Sequence, residues 1–98
     1  MSRLVGHHTV PRAVWKRLAP NVKHKGPVRG MKGTKNIWPI PEDLHKLLHS
    51  GGPRGGDWNR RWWEELKEAG GVENASVSDV VRIREQLVEE FGLGMYRP

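Results

Sequence analysis

Ninety-eight residues make one small domain, 1–98, because a chain this short buries only ~60–65% of its unfolded surface and has no material for a second core. The absence of cysteine excludes disulfides as a staple, fits a reducing compartment, and leaves a bound metal as the means of supporting a marginal core. The net charge of +6 is segregated: residues 1–56 carry eleven lysines and arginines against Glu42 and Asp43, whereas 57–98 carry six against nine acids. A focused basic half points to a polyanion, nucleic acid by default.

Gly and Pro punctuate the first half and permit only short elements there. Residues 4–10 (LVGHHTV) read as a strand that stops at Pro11, and 13–18 as a helix of one to two turns closed by Pro20. Residues 20–33 show no apolar period and read as a basic loop containing His24. A second extended piece, 34–40 (TKNIWPI), contains Pro39, which requires an edge or terminal position. Pro41, then Glu42 and Asp43, then Leu44, Leu47 and Leu48 predict a helix over 41–50, ended by Gly51-Gly52. Trp58, Trp62, Leu66 and Ala69 form one stripe of a helix over 57–69, stopped by Gly70-Gly71. The last helix is predicted over 77–91, with Ser76 or Ser78 as cap and Val77, Val80, Val81, Leu87, Val88 and Phe91 inward. The fold class is α+β, a basic core over 1–56 with a helical cover over 57–98.

Four of the five histidines fall in two pairs, His7-His8 on the first strand and His45 with His49 on the helix. The i, i+4 spacing puts both helical imidazoles on one face, close enough to share an ion. Two ligands from a helix and one from a strand leave coordination positions open for water and phosphate.

A strand-borne His-His, a later Asn and a helical His-x-x-x-His together resemble the His-Asn-His (HNH)/endonuclease VII superfamily. The matching residues are GHHTVP at 6–11, Asn36 in TKNIWP, and LHKLLH at 44–49. The steps of nine residues from Asn36 to His45 and four to His49 are similar to those of nuclease colicins. The Gly-His-His opening resembles the AHH and GHH branches found as bacterial toxin domains. The resemblance covers about half of the chain and departs from the colicin pattern in the 27 residues between His8 and Asn36. It implies a ββα-metal (His-Me finger) core with additional C-terminal helices. By that analogy His7, His45 and His49 hold one divalent metal ion (Zn, Mg, Ni or Mn), His8 is the general base, and Asn36 braces the hairpin or the base imidazole. Adjacent strand residues point to opposite faces, so His7 and His8 serve one site only if the strand ends or bulges there, and the two roles are interchangeable at this stage.

The function that follows is a metal-dependent endonuclease hydrolysing nucleic acid, DNA before RNA, with low sequence specificity. Its rivals are an RNase, an inactive homologue, and a non-catalytic nucleic-acid-binding module with a structural zinc that takes His8 as fourth ligand. Arg3, Arg12, Lys16, Arg17, Lys32, Lys35 and Arg54 are the candidate phosphate contacts. The helical spacing of Trp58 and Trp62 assigns them to the core in preference to base stacking. No run reaches the ~18–20 apolar residues of a membrane span, and no apolar signal stretch opens the chain. A chain acting in a cytoplasm is expected, delivered there if it is a toxin, with an acidic immunity protein as partner in that case.

Overall fold

The computed structural model describes residues 3–29, 31, 36–50 and 56–98. Lys32, Lys35 and Arg54 lie outside these residues, as do the start of the second extended piece and the glycine-rich stretch after residue 50. The described chain is a compact α+β fold, a two-stranded antiparallel sheet with helices making up most of the rest.

Strand β1 (Leu4–His8) pairs with β2 (Ile37–Pro41), with Gly6 opposite Pro39, His7 opposite Trp38 and His8 opposite Ile37. A sheet of two strands has only edges, which is how Pro39 is accommodated. β1 stops at His8, two residues earlier than the apolar pattern predicts. Beyond it one backbone bond remains, from the Thr9 N–H to the Asn36 carbonyl, and the Asn36 side chain holds Thr9 and Val10.

Helix α1 (Arg12–Arg17) follows, and then the segment expected to be a loop forms two single helical turns, α2 (Pro20–Lys23) and α3 (Gly26–Arg29). Pro20 therefore opens a helix as well as closing one, consistent with its preference for the first helical position. Each turn sends one valine inward, Val22 and Val28, a spacing too sparse to register as a period.

Helix α4 (Glu42–His49) starts one residue later than expected because Pro41 still pairs with Leu4, and Glu42 and Asp43 occupy its first turn. Of its leucines only Leu48 is buried, and Leu47 is 69% exposed.

Helix α5 (Gly56–Glu68) turns Trp58, Trp62 and Leu66 into the core, as their spacing predicts. Helix α6 (Val77–Glu90) is started by a capping box: the Ser76 hydroxyl accepts from the Asp79 N–H, and the Asp79 carboxylate accepts from the Ser76 N–H. Ile83, absent from the predicted apolar face, is fully buried with Val80 and Leu87. Arg61 of α5 grips Glu90 of α6 through two hydrogen bonds of 2.8 and 2.9 Å, joining the helices at their rim. The buried apolar residues form one cluster drawn from both halves of the sequence, so α5 and α6 complete the core beneath the hairpin.

Candidate metal centre and the cleft beside it

The inner side of the hairpin and α4 together gather three histidines. His7 is buried on β1, and His45 and His49 are half-buried one turn apart on α4. One ring nitrogen from each lies within 4.8 Å of the others, and His49 Nε2 approaches His7 Nδ1 at 3.3 Å. Nitrogens bound to one zinc lie at most about 4.2 Å apart, twice a Zn–N bond of ~2.1 Å, so small side-chain adjustments close this cluster on an ion.

Burial lowers the His7 pKa to about 3, and the neighbouring His49, His45 and His8 add to the effect. His45 is lowered for the same reason, first by burial and then by His49 and His8. Neutral imidazoles are the form that metals bind. His7 Nε2 is buried with no hydrogen-bond partner among the described residues, a polar atom the surrounding protein leaves unsatisfied. Trp58 closes the remaining side, its ring 4.8 Å from that of His7 in an edge arrangement. These residues fit a divalent cation.

Gly56 sets the approach of α5 to this site. A Cβ there would lie 2.5 Å from the His49 carbonyl carbon and the Leu48 oxygen, and its φ of +85° is one that other residues rarely adopt. Glycine at 56 thus lets the start of α5 press against the end of α4, directly behind His49.

His8 lies on the other side of the strand, exposed, as the alternation of β structure requires. It is not part of the three-histidine group, yet it is near enough for its charge to depress His7 and His45. It lines a cleft of about 330 Å³ with Arg12, Lys16, Trp15, Met31 and Asn36. His8 is the last residue of β1 and still pairs with Ile37, so it follows the alternation of the strand away from His7.

Asn36 fixes that strand end. Its Oδ1 accepts from the Val10 N–H (2.7 Å) and from the Thr9 hydroxyl (2.6 Å), and its Nδ2 donates to the Val10 carbonyl (2.9 Å). Its backbone oxygen accepts from the Thr9 N–H at 2.9 Å. Of the two bracing roles expected for Asn36, these bonds are to the hairpin and none is to an imidazole. The Thr9 carbonyl completes the clamp, accepting from the indole N–H of both Trp58 (3.2 Å) and Trp62 (2.9 Å). Sequence reasoning missed Thr9 altogether. Its only signal was indirect: two buried indoles each need an acceptor.

The four described phosphate-contact candidates divide. Arg3 is paired with Glu42 and Arg17 with Glu73, at 2.9 and 3.0 Å, and Arg17 also covers the Trp63 ring. Arg12 and Lys16 have no carboxylate partner among the described residues and face the cleft. His24 caps the end of α2, exposed.

No helix among the described residues is long and apolar enough to cross a membrane. No protein-family model, no curated protein and no solved structure matches this chain.

Proposed function

We propose that the protein is a metal-dependent endonuclease of the HNH type, with β1, β2 and α4 as its ββα-metal core. The observation that carries the reading is the division of labour around β1: three histidines converge on its inner side while His8 stays outside their group, in a cleft with Arg12 and Lys16, which have no carboxylate partner among the described residues. A structural zinc closed by four protein ligands would draw His8 into the group, so its exclusion favours an open site.

His7, His45 and His49 would hold the ion, which when bound neutralises charge developing on the phosphate. Arg12 and Lys16 hold the backbone phosphates by charge. His8 takes a proton from the attacking water as the water oxygen bonds to phosphorus and the bond to the leaving sugar oxygen breaks; that oxygen is protonated by solvent. A neutral imidazole has a ring nitrogen lone pair that can accept that proton and pass it on. Asn36 acts through the backbone, fixing the strand end that carries His8. DNA cleavage with low sequence preference is the substrate reading, and a toxin role with an acidic immunity protein is the biological one.

Supercoiled plasmid is incubated with protein stripped by chelator and then given Zn, Mg, Ni or Mn singly. Nicking and linearisation restored by at least one metal, and abolished again by chelator, are expected. Tight binding of zinc and of DNA with no cleavage under any metal would replace the enzyme with a binding module, and cleavage of RNA alone would make it an RNase.

A further inference from the structure

The cleft beside His8 contains one group that the hydrolysis above does not use, the indole of Trp15. Helix α1 divides its side chains between two directions. Val14 and Leu18, four apart, are buried in the core, Arg12 and Lys16 line the cleft, and Trp15 both packs against the core and lines the cleft. Trp15 is only half-buried, and Val10 and Met31 extend the apolar wall next to it. At about 330 Å³ the cleft is at the small end of small-molecule sites, which run ~300–1,000 Å³.

An aromatic ring flanked by two cations that no carboxylate among the described residues neutralises matches the two faces of one nucleotide: a base on the ring and its phosphates on the charges. The three tryptophans of the core, Trp38, Trp58 and Trp62, cannot serve, being buried. A base inside a duplex has both faces covered by its neighbours and must be unstacked, at a cost, before it can lie on a protein ring. We infer that Trp15 is a stacking platform for an unpaired base beside the scissile phosphate, which makes single-stranded or locally unpaired nucleic acid the preferred substrate. The inference rests on the nuclease reading and adds to it the state of the strand that is recognised.

The test is fluorescence polarisation with the whole chain in chelator, so that nothing is cut, against three probes of equal length: oligothymidylate, a wholly abasic oligomer, and a duplex. The wild-type protein should bind oligothymidylate about ten-fold or more tightly than the abasic strand, the scale of one base–aromatic stack, and more tightly than the duplex. Trp15→Ala should abolish that preference and leave abasic and duplex binding unchanged, while Trp15→Phe should keep most of it. Equal wild-type affinity for the oligothymidylate and the abasic strand overturns the inference without any variant, and so does a Trp15→Ala protein that keeps the wild-type preference. Metal-dependent plasmid cleavage alongside either result removes only the stacking role. A wild-type protein that binds none of the probes and cuts nothing removes the nuclease reading as well.

Discussion

On the inner side of β1, His7 is sealed between Trp58 and the two histidines of α4, and its imidazole is kept neutral by burial. On the outer side, one residue along, His8 is exposed to a cleft whose charged groups are Arg12 and Lys16. The inner side brings three imidazoles together around a buried His7, and the outer side sets one exposed imidazole beside two cations. Successive strand residues make the contrast unavoidable, because the pleat sends them to opposite faces. A single strand end can therefore supply a ligand and a base in adjacent positions, provided that the backbone there is fixed. Asn36, Thr9 and the two indoles fix it.

The largest effect should separate the two sides outright. His8→Ala should retain metal and fold while turnover drops by ~10²–10⁴-fold, the usual worth of a general base. The His45→Ala, His49→Ala double variant should lose the metal and melt earlier, because binding is coupled to folding. Calorimetry and a cleavage assay on both proteins, with His7→Ala beside them, read the difference. Metal lost in His8→Ala but kept in His7→Ala would exchange the two roles, and unchanged stoichiometry and affinity in the double variant would dissolve the centre.

The clamp between the two sides comes next. Asn36→Ala strands the buried Val10 N–H and Val10 carbonyl, while the Thr9 hydroxyl keeps the backbone carbonyl of residue 36 as an acceptor at 3.1 Å. At ~1–3 kcal/mol for each buried polar group left unsatisfied, partly relieved by water, a loss of about 3 kcal/mol is expected in urea denaturation. A change below about 1 kcal/mol would mean that the indole bonds to Thr9 hold the strand end without Asn36.

The smallest effect concerns protons on the inner side. His7 titrates at about 3 in the folded chain against 6.5 as an ordinary histidine, so below 6.5 the unfolded chain binds the extra proton. The stabilisation is complete above pH 6.5 and is lost as pH falls toward 3. The slope is about 1.4 kcal/mol per pH unit, so metal-free protein should lose about 2 kcal/mol between pH 7 and pH 5. His45 shifts in the same direction and can only steepen the loss. Chemical denaturation in chelator at the two pH values provides the check; equal stability at both would show that the inner side is wetter than its burial implies.

Local pattern was enough for the long elements of the second half. Trp58, Trp62 and Leu66 recur at helical spacing over more than two turns, and Ser76 with Asp79 marks a helix start that any unfolded segment would also favour. The i, i+4 histidines of α4 were legible because a helix imposes that juxtaposition by itself. The turns α2 and α3 were not, since one buried valine in four residues carries no period and only contact with the core selects a helical turn there.

What the sequence determined by itself was the inventory and its local geometry: the segregated charge, the helical histidine pair, the adjacent strand pair, and the apolar stripes of α5 and α6. The tertiary structure decided which members of that inventory meet. His7 joins His45 and His49 across some forty residues only because β1 pairs with β2 and α4 packs against both. Arg12 and Lys16 differ from Arg3 and Arg17 only in whether a carboxylate distant in sequence reaches them. Hydrogen bonds from Trp58 and Trp62 to Thr9 span about fifty residues, and no local pattern encodes them. Periodicity is set by the backbone's own geometry and can be read along the chain, whereas a long-range pairing depends on how the whole core closes.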